Sequence, residues 1–213
     1  MKQKIIIVSG ALLCFAYIAF WVIQSINTGQ PIGFDTVIRE FFMQIRSEPL
    51  TIIATGITYL GNSKTIIIMC ILLLIFSKTR MSFGVPLSVA ALSSATIQTI
   101  IKVLIQRARP PVENFLIVQG GFSFPSGHSC SGLVFYGLFA YLLFHNNVDN
   151  SVYKLLGKLF IVLFILIGLS RIYLGVHYPT DVLGGWCLGT AILTVSIGVI
   201  QKLKTDKLEK IKG

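Results

Sequence analysis

Long apolar runs alternate with short polar stretches along this chain. A hydrocarbon core takes about 20 apolar residues of helix. Six stretches approach or exceed that scale: residues 5–26, 50–76, 83–105, 126–144, 155–170 and 179–200. The second is interrupted by Gly61-Asn62-Ser63-Lys64, which predicts that its outer half is wet or packed on protein. The first run follows Lys2 and Lys4. It is longer than the apolar part of a secretory signal and lacks a small-residue cleavage pattern, so it reads as a retained helix. Between the first two runs, Phe34, Val37, Ile38, Phe41, Phe42 and Ile45 recur at helical spacing. Asp35 stands near the start and Arg46 near the end, as the helix dipole prefers, and Glu48-Pro49 closes the segment. A short amphipathic helix over 34–46 is expected, lying on the outer membrane surface or packed on the bundle. Gly185 and Gly189 form a G-x-x-x-G spacing that predicts close helix packing, within the bundle or between protomers. No repeat, low-complexity tract or linker divides residues 1–213, so one all-α, polytopic membrane domain of six spans is expected.

Composition strengthens that reading. Of 213 residues, 54% are hydrophobic and 12% charged, about half the charge of an ordinary soluble domain. Too few polar residues exist to cover a soluble enzyme, and a disordered chain would be polar and highly charged. The net charge of +10 could suggest nucleic acid, but the distribution argues otherwise. Lys202, Lys204, Lys207, Lys210 and Lys212 crowd the C-terminus, and most other cations flank apolar runs. With the N-terminus inside, eleven Lys and Arg fall on inner segments and seven on the outer side. That bias places both termini in the cytoplasm, with the bilayer and not nucleic acid as partner. The four cysteines (Cys14, Cys70, Cys130, Cys187) lie in apolar stretches without C-x-x-C spacing and read as small core residues.

Ionisable groups at membrane depth are expensive and point to function. In the six-span topology they collect at the outer ends of spans three to six. Lys102 and Arg109 are seven residues apart, which in a continuous helix places both on one face, with Pro110 and Pro111 stopping the helix beyond them. Such a pair suits an anion, or it snorkels to the interface. Phe124-Pro125-Ser126-Gly127-His128 opens the fourth span, where free N–H groups favour anions; a plain helix cap is the other reading. Ser170-Arg171 ends the fifth span, and Pro179 opens the sixth. His177 and Asp181 are then spaced to meet, leaving one ring nitrogen as a nucleophile. A structural His–Asp pair or a metal site are the alternatives, but a metal needs a further ligand among three cations. Taken together, three fixed cations, a helix N-terminus, two histidines and a carboxylate suit phosphoryl transfer. No nucleotide-cradling G-x-x-x-x-G-K-[ST] occurs. An anion transporter or channel would also place charges within its bundle.

These residues resemble the type 2 phosphatidic acid phosphatase superfamily, whose signature is K-x6-R-P, P-S-G-H and S-R-x5-H-x3-D. Lys102, Arg109 and Pro110 match the first part. Pro125, Ser126, Gly127 and His128 match the second, and Ser170, Arg171, His177 and Asp181 the third. The resemblance implies a six-helix membrane phosphatase for lipid phosphates that needs no metal or other cofactor. By that likeness His177 attacks phosphorus, Asp181 orients it and His128 protonates the leaving alkoxide. Lys102, Arg109, Arg171, Ser126 and the Gly127 N–H would hold the phosphoryl oxygens, supported by Pro110, Pro125 and Ser170. Soluble haloperoxidase relatives share the anion pocket, but six spans argue against that role. The signature reads the phosphate rather than the lipid behind it. A phosphomonoesterase acting on phosphatidylglycerol phosphate is the leading expectation, with undecaprenyl diphosphate as the alternative.

Overall fold

The structure is a computed structural model that describes residues 2–146 and 151–212, with side chains described up to residue 206. The tail lysines Lys207, Lys210 and Lys212 therefore lie outside the described side chains. The described residues are helical, without strands: α1 Lys2–Thr28, α2 Gly33–Gln44, α3 Glu48–Leu60, α4 Ser63–Ile75, the short α5 Ser77–Thr79, α6 Val85–Ile105, α7 Gly127–Asn146, α8 Ser151–Tyr173 and α9 Pro179–Lys212. A π-helical turn, Arg80–Gly84, leads from α5 into α6.

Among the described residues, five helices are long and apolar enough to cross a membrane, and the pair α3–α4 adds a sixth if it is one broken span. That pair, expected as the single run 50–76, bends by 49°. The bend falls at the interruption read from the sequence. Gly61 ends α3 and Asn62 caps α4, its Oδ1 accepting from the Lys64 N–H at 3.0 Å. Carbonyls freed at the break find partners inside the protein: Tyr136 donates to Leu60 O at 2.8 Å, and Thr65 Oγ1 to Tyr59 O at 2.7 Å. A broken helix is tolerated at membrane depth on that condition.

α7 is the central helix, packed on α6, α8 and α9; α1 lies along α9, and α3 along α8. Val134, Phe135, Leu138 and Leu142 of α7 join Leu87, Ile167 and Leu188 in the core. The G-x-x-x-G spacing works inside this bundle. A Cβ on Gly185 would come within 2.7 Å of Ser126 O, and one on Gly189 within 3.1 Å of Cys130 O. Contact this close fixes α9 against the first turns of α7.

The outer helix faces are apolar. Ile6, Leu13 and Phe20 of α1, and Val89, Leu92 and Leu104 of α6, point away from the protein. Burying such a side chain is worth about 1.5–3 kcal/mol, so these surfaces belong in hydrocarbon. Cys70 and Cys130 are core residues as expected, whereas Cys14 is exposed on such a face.

The helix expected over 34–46 forms as α2, but its apolar stripe is split. Phe34, Val37 and Phe41 are exposed, while Ile38 and Phe42 turn inward. Asp35, expected only to complement the helix dipole, is buried and bonded across the molecule.

Candidate active site

Four helix ends and the two loops that join them meet at one end of the bundle. The first loop begins earlier than the sequence suggests. α6 stops at Ile105, Gln106 adopts a left-handed conformation (φ 53°), and its N–H bonds Lys102 O at 3.0 Å. Lys102 and Arg109 therefore do not share a helix face, and Pro110 and Pro111 lie well beyond the helix they were expected to stop. The loop brings the two cations together instead. Lys102 Nζ donates to Phe122 O at 2.9 Å, and Arg109 Nη2 donates to the same oxygen at 3.2 Å. Arg109 Nε also donates to Gly120 O and Gly121 O, and its Nη1 to Val176 O at 2.7 Å.

α7 opens at Gly127, after the cis Phe124–Pro125 peptide. Ser126 is fully buried and serves as the cap. Its Oγ accepts from Ser129 Oγ at 2.9 Å and from the Ser129 N–H at 3.4 Å. Gly127 is needed for space, since a Cβ there would lie 2.8 Å from Gln98 Oε1. Pro110 and Pro125 are buried beside these turns. Ser170 Oγ donates back to Ile167 O at 2.7 Å, inside α8.

Arg171, near the end of α8, is 1% exposed. Its Nη1 donates to Thr58 Oγ1 at 2.7 Å and its Nη2 to Gln119 Oε1, while the buried Nε has no partner among the described residues. Thr58, Tyr59, Asn62, Gln119, His128 and Arg171 line a cavity of about 340 Å3 between the α3–α4 break and the loop. His177 is not among the residues that line this cavity and is 2% exposed. Arg171, Arg109 and Lys102 all act electrostatically on both imidazoles.

The His177 ring is held at both nitrogens. Nδ1 lies 3.2 Å from Asp181 Oδ2, and Nε2 lies 3.2 Å from Arg109 Nη1. An arginine nitrogen can only donate. Nε2 therefore carries the lone pair, and Nδ1 carries the proton given to Asp181. Burial, followed by the charges of Arg171 and Arg109, holds this imidazole well below the usual 6.5. It is neutral at physiological pH, as a nucleophile requires. Burial also lowers the Arg109 guanidinium, against the pull of Asp181.

Several residues here were not singled out from sequence. Arg107 is buried between Asp181 and Asp35, and Thr58 and Gln119 hold Arg171. The available signals were slight: a second arginine two residues before Arg109, and an aspartate in the first turn of an amphipathic helix. Among the described residues, no group of three His, Cys, Asp or Glu side chains converges as a metal site would require.

The sequence profile described as "PAP2 superfamily" matches residues 83–204, which contain all these signature residues. Phosphatidylglycerophosphatase B of Bacillus subtilis is 32% identical over 187 residues, covering 84% of this chain and 90% of that one. An undecaprenyl-diphosphatase of Sulfolobus acidocaldarius is 27% identical over 205 residues, 94% of each chain. The crystal structure of a transmembrane PAP2 type phosphatidylglycerolphosphate phosphatase from Bacillus subtilis superposes with a TM-score of 0.77 at 29% identity, covering 95% of this chain and 98% of that one.

Proposed function

The chain belongs to the PAP2 superfamily, and from that premise we propose that it is a multi-pass membrane phosphatase that hydrolyses the phosphomonoester of phosphatidylglycerol phosphate and related lipids through a phosphohistidine on His177. One observation carries the reading: the lone pair of His177 Nε2 faces the Arg109 guanidinium while Asp181 holds the opposite nitrogen, and the charges of Arg171 and Lys102 also act on the ring.

In the reaction, the phosphoryl group enters from the cavity and takes the place of the Arg109 contact on Nε2. Nε2 attacks phosphorus and the bond to the lipid oxygen breaks. His128, on the cavity wall, gives that oxygen its proton. Asp181 stabilises the charge that develops on the His177 ring. Water then attacks the phosphohistidine and gives a proton to His128, and inorganic phosphate leaves. Lys102, Arg109 and Arg171 stabilise the phosphoryl oxygens, assisted by the Ser126 hydroxyl and the Gly127 N–H. Pro110, Pro125 and Ser170 shape the turns that carry them. No metal enters any step.

In the membrane, α3–α4 is one broken span, giving six in a single domain. The lysine bias places both termini in the cytoplasm and the site on the extracytoplasmic side. The exposed Phe34, Val37 and Phe41 of α2 rest on the outer leaflet. Undecaprenyl diphosphate is the second reading, favoured by the likeness to the Sulfolobus enzyme along nearly the whole chain. The cage would then grip the terminal phosphate.

The test is phosphate release by detergent-purified protein from a panel of lipid mono- and diphosphates, compared by kcat/KM. Turnover of the monophosphates, absent in His177→Ala, is expected. Preference for the diphosphate would select the second reading. Wild-type activity in His177→Ala would end the histidine mechanism, and no phosphate release from any lipid would favour an anion transporter.

A further inference from the structure

Arg107 is 5% exposed and bridges two buried carboxylates. Its Nη1 donates to Asp181 Oδ1 and its Nη2 to Asp35 Oδ2, each at 2.7 Å. Thr180 completes the joint. Its N–H donates to Asp35 Oδ1 at 2.8 Å, its Oγ1 donates to Asp35 Oδ2 at 2.7 Å, and the same Oγ1 accepts from Arg107 Nη1 at 2.8 Å. The guanidinium also lies 3.9 Å from the centre of the Tyr178 ring. Burial works against charge on Arg107, but Asp181 and Asp35 more than offset it and hold the group above its ordinary value.

The two oxygens of Asp181 divide their work. Oδ2 accepts from His177 Nδ1 and from the Tyr178 N–H at 2.9 Å, whereas Oδ1 accepts from Arg107. Asp181 is completely buried, and a carboxylate in such a place needs a partner to remain ionised. Arg107 does not contact His177 or line the cavity that reaches His128. We propose that Arg107 is a positioning residue for the reaction: it holds Asp181 charged and aimed at His177, and through Asp35 it locks that carboxylate to α2. This rests on the phosphohistidine reading above. It assigns α2 a second task, as the far anchor of the nucleophile.

The test compares wild type, His177→Ala, Arg107→Met, Arg107→Lys and Asp35→Asn as full chains in detergent, with dioctanoyl phosphatidic acid as substrate and tungstate as a phosphate mimic. Arg107→Met should lose about 100-fold in kcat, the usual scale for a misaligned reacting group. Its KM and tungstate inhibition constant should stay within about threefold, because the cage cations remain. Arg107→Lys should recover part of the loss, since an ammonium reaches one carboxylate but cannot bridge both. Asp35→Asn should lower kcat about tenfold by loosening the far anchor. Wild-type kcat in Arg107→Met would overturn the inference, as would a loss confined to KM and tungstate affinity. If Arg107→Met does not fold, the other two variants decide, and wild-type kcat in both overturns it. An active wild type and an inactive His177→Ala separate these outcomes from failure of the phosphatase reading, with which this inference would also fall.

Discussion

Four of the cations at one end of this bundle are held in two different ways. Arg107 lies between two carboxylates at 2.7 Å. Lys102, Arg109 and Arg171 have no carboxylate within salt-bridge distance among the described residues. Carbonyl, hydroxyl, amide and imidazole groups hold them instead. A carboxylate neutralises its partner, so Arg107 offers little to an incoming anion. Neutral dipoles fix a cation in place and leave its charge intact, and in a water-poor site that charge acts strongly. Desolvating three like charges is costly, and the Arg171 Nε, without a partner among the described residues, is part of that cost. In the function proposed above, a phosphoryl group repays it.

Substitutions can break this contrast. The largest effect is expected from Arg109→Met or Arg171→Met, each losing about 10³-fold in kcat/KM as transition-state charge goes unbalanced. Tungstate affinity should fall as well. Arg107→Met should instead leave tungstate affinity nearly intact and lower stability by about 3–5 kcal/mol, the usual result of stripping a buried carboxylate of its partner. A denaturation curve beside the inhibition constants reads both halves, and a uniform response of the cations would dissolve the distinction.

His128→Ala comes next, slowing lipid hydrolysis by about 10²-fold, the low end of what a general acid contributes. An aryl phosphate, whose leaving group needs less help, should lose less; equal losses would remove the proton-donor role. The smallest change is expected from Thr58→Val. It removes only the hydroxyl that orients Arg171 and should cost about tenfold in kcat/KM. The pH profile sharpens the picture without a substitution. His177 is held well below 6.5, so the uncharged ring persists as pH falls through that value. The acid limb of kcat/KM assigned to this group should therefore lie below the ordinary imidazole range.

Much of this was legible in the chain. Apolar runs placed the long helices, Gly61-Asn62 marked the break between α3 and α4, and the spacing of His177 and Asp181 predicted their contact. The end of α6 was not legible. Left-handed C-caps favour glycine or asparagine, and nothing about Gln106 announces one. Lys102 and Arg109 consequently read as helix neighbours, when a loop joins them through Phe122 O. Periodicity likewise found the apolar positions of α2, but which of them face inward was settled by its packing, with Asp35 buried against Arg107.

Residue type and local spacing settle what depends on neighbours in sequence: a run long enough for hydrocarbon, a helix start at Gly127, an imidazole one turn from a carboxylate. The joint among Arg107, Asp35 and Thr180 links residues separated by 72, 73 and 145 positions. No local pattern encodes such a meeting. It forms because burying a charge demands a partner, and only the assembled bundle determines which partner lies within reach.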